Sequence, residues 1–282
     1  MPVAGPSPAC LLIEQDRAEL ADWRSTGFAT ETPDDSAIEF ASCLGDPDPF
    51  LRDHIGYEGL TAVLRSGDVS EATRRKLIAS LTAALAEDDP DGFQVPFAAL
   101  GLSELARTDR VEAFLTDQER SDLVATAADY LENITDYRAF SDTEGWRHGV
   151  AHGADLAMQL SLNPQVLSDA LLSLRSAITA QVAPASAPAY THGEPERLAR
   201  PILFMAARGE IEGDDWQAWF EHLSNPAPLD SWADAFKSEA ALKRLHNLKA
   251  FAQTLYVNAS LSSNPNLEPI ATGALEMLRA LP

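Results

Sequence analysis

The sequence predicts an all-α fold of stacked antiparallel helix pairs, forming an α/α superhelix of the HEAT or armadillo solenoid kind. Three observations carry this. From Asp46 onward apolar residues recur at intervals of three and four, the period of amphipathic helices. Pro, Gly, Asp and Ser break these runs into segments of helix length. No segment alternates apolar and polar residues with β-branched enrichment, so essentially no strand is expected.

The elements follow in order. Residues 1–45, rich in Pro, Ser, Thr and acids, read as an N-terminal extension whose amphipathic stretch Leu11–Trp23 makes one short helix. Residues 46–282 read as a single solenoid domain. Its first pair is expected at Pro49–Arg65 and Ser70–Ala86, its second at Gln94–Arg107 and Asp117–Glu132. The third falls at Glu144–Ser161 and Pro164–Gln181, the fourth at Glu196–Arg208 and Asp214–His222. A long helix, Asp234–Ala259, and a terminal one, Leu267–Leu281, complete the chain.

The first helices of the pairs share a signature, an apolar residue followed four positions later by a small one: Ile55 and Gly59, Phe97 and Gly101, Val150 and Ala154, Leu203 and Ala207. A small residue there lets the next helix approach closely. The recurrence is in the range of helical repeats, in which each pair buries its apolar face against its neighbour.

Composition bounds the function. With 43 acidic against 21 basic residues and a formal charge of -22, the chain repels polyanions, so no nucleic acid is expected as partner. No apolar run reaches membrane-spanning length, and no basic region followed by an apolar core opens the sequence. The two cysteines, Cys10 and Cys43, make neither a disulfide framework nor a metal-ligand spacing. These features predict a soluble, cytoplasmic protein without a membrane partner.

The segment from Glu144 to Gln159 carries the most chemical content. At 100° per residue, Glu144, His148, His152, Asp155 and Gln159 share one stripe of the expected helix, with Trp146, Val150, Gly153, Ala157 and Leu160 opposite. Gly149 and Gly153, each costing roughly 1 kcal/mol in a helix, suggest close backbone approach beside Trp146. Imidazoles four residues apart can share a divalent metal, with Asp155 as third ligand. The same groups can serve as general acid and base. A structural hydrogen-bond network is the alternative. Arg52-Asp53-His54 opens the first pair where Arg147-His148 opens the third, so in a repeat fold Asp53 and His148 could face one groove. Glu194 to Arg197 reads as a helix start with acids at the positive end of the dipole.

Four segments together resemble a bacterial family, domain of unknown function 2785: Asp48-Pro49-Phe50-Leu51-Arg52-Asp53, Tyr137-Arg138-Ala139-Phe140, Gly145-Trp146-Arg147-His148 through His152-Gly153-Ala154-Asp155, and Gly193-Glu194-Pro195-Glu196-Arg197-Leu198-Ala199. The resemblance covers about 46–208. Two positions depart from it: Arg147 stands where alanine is expected, and Val95-Pro96-Phe97 where the family tends to have Arg-Ser-Phe. It implies a helical superhelix and no particular activity. It also groups Arg52, Asp53, Arg138, His148, His152, Asp155, Glu194 and Arg197 as residues used jointly, to which the stripe adds Glu144.

The functional expectation is a protein- or ligand-binding module with a concave polar groove, its partner a basic protein or a small molecule. The alternative is a metal-dependent or general acid/base hydrolase centred on His148, His152 and Asp155. No cofactor is expected beyond a divalent metal under that alternative.

Overall fold

A computed structural model describes residues 10–282. Along the chain lie α1 (Arg17–Ser25), α2 (Pro33–Ser42), a π-helical turn (Phe50–Tyr57) that continues as α3 (Glu58–Ser66), α4 (Glu71–Ala84), α5 (Gln94–Val111) and α6 (Asp117–Asn133). A hairpin of β1 (Phe140–Ser141) and β2 (Gly145–Trp146) follows. Then come α7 (Gly149–Leu162), α8 (Ser168–Val182), α9 (Glu194–Arg208), α10 (Gly213–Ser224), α11 (Glu239–Leu261) and α12 (Glu268–Ala280). Short 3-10 turns, Trp232–Lys237 and Pro265–Leu267, lead into α11 and α12. The fold is therefore all-α and built from helical repeats. No helix among the described residues is long and apolar enough to cross a membrane.

The chain divides into two compact units, the first Met1–Thr116 with Arg138–Leu156, the second Asp117–Tyr137 with Ala157–Pro282. In the first unit α2 packs on α3 and the π turn, and α4 on α5. Trp23, Phe28 and Phe40 form an aromatic cluster with centroids 4.7–6.0 Å apart. Phe40 is fully buried, which stabilises the unit by roughly 2–3 kcal/mol. In the second unit α6 packs on α8, α9 on α11, and α12 on both α10 and α11. Trp216, Trp219, Phe220 and Phe251 meet edge to face at its core.

Side chains cap three of the helix starts. The Asp16 carboxylate accepts from the Ala18 N–H at 2.7 Å, and the Ser70 and Ser238 hydroxyls accept from Thr73 and Ala241. The small-residue signature holds at Gly59 and Gly101, where a Cβ would stand 2.6 Å from the Phe40 ring and 2.9 Å from Leu81. It fails in α9. There Ile202, Met205 and Ala206 are buried while Leu203 and Ala207 are only half-buried, so the packed face is offset by one residue.

The N-terminal region departs from the expected single helix. A second helix, α2, runs from Pro33 with Pro at its first turn, the position proline favours because its missing N–H is not needed there. Cys10 and Cys43 are joined in a disulfide 33 residues apart. One bond is not a framework, yet it fastens the segment that carries the fully buried Leu12 to the end of α2.

Candidate functional site

The expected helix from Glu144 does not form at its beginning. Residues 140–146 instead make the β hairpin, with Phe140 opposite Trp146 and Ser141 opposite Gly145. The Arg147 N–H donates to the Ala139 carbonyl (2.8 Å) and the His148 N–H to that of Arg138 (3.2 Å), extending the ladder. Within the turn the Ser141 hydroxyl accepts from the Thr143 and Glu144 N–H groups. Gly145 has φ +75, a conformation nearly free of cost only for glycine. A Cβ there would also lie 3.1 Å from an Arg52 nitrogen. Helix α7 begins at Gly149, and the His152 N–H closes its first turn on the His148 carbonyl at 3.0 Å. Glu144 is consequently not on the stripe of His148, His152 and Asp155. That part of the sequence reading is corrected, because a helical pattern was extended through residues whose backbone is left-handed.

His148 itself has φ +58. A non-glycine residue in this region stores about 1–3 kcal/mol of strain, held here by the ladder on one side and the helix on the other. Its ring stacks on Trp146 with centroids 4.7 Å apart and 23° between planes. It meets His152 edge to face at 5.9 Å. His152 in turn meets Phe97 at 5.0 Å and sets its Nδ1 3.2 Å from the Pro96 carbonyl. Phe140 completes the series, 4.8 Å from Trp146. One end of this row of rings is buried against α5. The other, Phe140 and Trp146, is 46% and 39% exposed.

Arg52 and Arg138, two of the arginines expected at a ligand site, donate to scaffold carbonyls, as does Arg147. Arg52 is fully buried and donates to the carbonyls of Asp46 (3.0 Å), Pro47 (3.3 Å) and Glu144 (2.7 Å), and to Asp53 (3.1 Å). Its Nε is buried without an acceptor. Arg138 donates to Pro90 (3.1 Å) and Arg147 to Asp91 (2.6 Å), so both hairpin strands hold one loop. Arg147 also bonds the Glu144 carboxylate at 3.2 Å. The Arg52 and Arg147 guanidiniums each lie 4.1 Å from the Phe93 ring centroid. The ring quadrupole attracts each of these cations. Burial lowers the Arg52 pKa, and the charge of Arg147 lowers it further.

Asp53 is the more accessible partner, its side chain one quarter exposed. Burial raises its carboxyl pKa and outweighs the opposing charge of Arg52. One turn on, Tyr57 is pushed up to about 12, mainly by burial and then by the nearby Glu104 charge, with Asp155 also contributing. Glu104 is buried and takes a two-pronged bond from Arg65 at 2.7 and 2.9 Å. Asp53 and Tyr57 both come from the π turn, a rare form often found at functional positions.

Of the nine residues singled out in the sequence, Arg52, Asp53, Arg138, Glu144, His148, His152 and Asp155 lie in the first unit and Glu194 and Arg197 in the second. Glu194 is buried at the start of α9 and accepts from the His192 N–H at 2.9 Å. The Arg197 N–H donates to the Gly193 carbonyl. Among the described residues no group of three or more His, Cys, Asp or Glu is arranged to hold a metal ion. His148, His152 and Asp155 are each at most 8% exposed. Sequence reasoning passed over Phe93 and Tyr57 and treated Trp146 only as packing. The pairing of Trp146 with Phe140 had no periodic signal, since it arises across a hairpin.

The sequence model of the family described as "Protein of unknown function (DUF2785)" matches residues 77–257. The chain belongs to this family. The DUF2785 match runs from within α4 through most of α11 and takes in the hairpin and α7. No curated protein and no solved structure matched the chain.

Proposed function

We propose that this DUF2785 protein is a binding module and that its first unit recognises a basic protein segment through the β1–β2 hairpin. The observation that carries the reading is the exposed Phe140–Trp146 pair on a hairpin fixed from beneath by Arg52, Arg138 and Arg147. A rigid, partly exposed tryptophan is the residue type that most often anchors an interface, and its face attracts a lysine or arginine side chain. Glu144, with its side chain half exposed, supplies a carboxylate on the same hairpin. The strong negative charge of the chain favours a basic partner at encounter. Because the buried Arg52 and Arg147 already hold the backbone, little ordering remains to be done on binding.

Calorimetric titration with a short arginine-rich peptide, at low and high salt, tests this. Wild type binds, more weakly at high salt. The double variant Trp146→Ala, Phe140→Ala binds about tenfold more weakly with an unchanged helical circular dichroism spectrum. Equal binding by both proteins, or none by wild type, would sink the reading.

A second reading, acid–base hydrolysis around His148, His152 and Asp155, draws on the strained backbone of His148, since such strain gathers at active sites. Turnover of an activated ester that is abolished in Asp155→Asn would favour it. Turnover unaffected by that change would count against it.

A further inference from the structure

In the second unit α10 and α12 pack side by side and leave a groove of about 450 Å³ between them. Its floor is apolar: Phe220 and Met277 line it, both buried. Gly273 sits against Phe220, where a Cβ would come within 2.1 Å of the ring. Any side chain at 273 would thus displace the floor. The walls are polar and regular. Gln217, Glu221 and Ser224 rise from α10, four and three residues apart, and Glu268, Thr272 and Glu276 from α12, four apart. These spacings put one residue per turn along each wall.

The charge on the walls has one sign. Three carboxylates, Glu221, Glu268 and Glu276, line the groove, with no Lys, Arg or His among its lining residues. Glu221 accepts from Gln217 at 3.0 Å. All three glutamates are exposed. A narrow apolar floor between acidic walls repeating each turn is the negative image of an amphipathic helix with basic flanks.

We propose that this groove receives a basic amphipathic helix from a partner protein. The occupant would lay an i, i+3, i+4, i+7 apolar stripe on Phe220 and Met277 and set Lys or Arg against the glutamates, the groove mode of helix recognition. The 13 residues of α12 give a seat about 20 Å long, enough for three to four turns of the incoming helix. A second copy of this chain is a poor occupant, because at -22 it would bring like charge to an acidic seat. The proposal stands on the second unit alone and does not depend on the hairpin.

The test is fluorescence anisotropy of two labelled helical peptides with the same leucine stripe, one flanked by lysines and the other by glutamates. The lysine peptide binds wild type and weakens with salt, and the glutamate peptide does not bind. Glu268→Gln, Glu276→Gln binds the lysine peptide about tenfold more weakly and with a shallower salt dependence. Both positions are exposed, so the variant keeps its fold, which circular dichroism verifies. The Trp146→Ala, Phe140→Ala variant binds the lysine peptide as wild type does, which separates the groove from the hairpin. The proposal is overturned if wild type fails to bind the lysine peptide. Equal binding of both peptides, or an affinity untouched by the two glutamine substitutions, would overturn it too.

Discussion

Each unit uses an arginine to hold backbone carbonyls, but in different company. In the first, Arg52 is wholly buried, lies over Phe93 and Phe97, and joins the chain before the π turn to the tip of a hairpin 92 residues away. In the second, Arg208 donates to Ser161 (3.3 Å) in the last turn of α7 and to Asn163 (2.9 Å) and Val166 (2.7 Å) in the α7–α8 connection, and its charge meets Glu210 at 2.7 Å. The first clamp ties together irregular backbone: the chain before a π turn and the tip of a hairpin. The second fastens one connection between regular helices, in a unit whose core holds tryptophans and phenylalanines meeting edge to face. The difference teaches where irregular structure can be kept. It persists where one side chain bonds several segments at once, as Arg52 does with the carbonyls of Asp46, Pro47 and Glu144.

Removing the two clamps should separate them most. Arg52→Ala leaves the Asp46, Pro47 and Glu144 carbonyls without their donor and Asp53 without its counter-charge. A loss of about 3–5 kcal/mol in chemical denaturation is expected, with a shift in Trp146 fluorescence as the hairpin is released. Arg208→Ala should cost less, about 1–3 kcal/mol, with that fluorescence unchanged. Equal losses would mean that the distinction between the units is only one of appearance.

Next in size is the disulfide. Its closed loop of 33 residues constrains the unfolded chain by about 3–4 kcal/mol in the entropic account. Reductant should therefore lower the stability of the first unit and leave hydrogen exchange in α10–α12 untouched. The cytoplasmic setting expected from the sequence favours the thiol form. Mass analysis of protein trapped with a thiol reagent at lysis measures which form the cell holds.

The smallest effect is a pH dependence. Tyr57 ionises at about 12 in the folded protein against about 10 in an unfolded chain. Below pH 10 both states keep the proton and stability is full. Between pH 10 and 12 the unfolded state loses it first, so stability falls, by up to about 1.4 kcal/mol per pH unit. Tyr190 is shifted the same way by burial, so both units weaken in alkali. Tyr57→Phe removes the first unit's share, and a slope that is identical in that variant would contradict the assignment.

Much of the fold was legible because helix signals are local. The bounds of α4, α5, α6 and α10 fall within a few residues of those read from apolar spacing and the Pro, Gly, Asp and Ser that break it, and the family resemblance rested on short motifs that survive without their neighbours. The candidate site was half legible. His148, His152 and Asp155 were found by their spacing, and Arg52 and Asp53 by analogy between repeats. What they do was not, since a guanidinium bonded to three carbonyls and one bound to a ligand look alike in sequence.

By itself, then, the sequence determined the helical class, the place of most helices and the segment where polar groups gather, all of which follow from periodicity and propensity over a few turns. Only the tertiary structure decided that residues 144–148 leave the expected helix, that Cys10 reaches Cys43, that Phe93 meets two arginines, and that α10 and α12 leave an acidic groove. Each of these depends on partners far apart in the chain. Their free energies come from contacts that exist only once the chain has closed, and a local pattern carries no record of them.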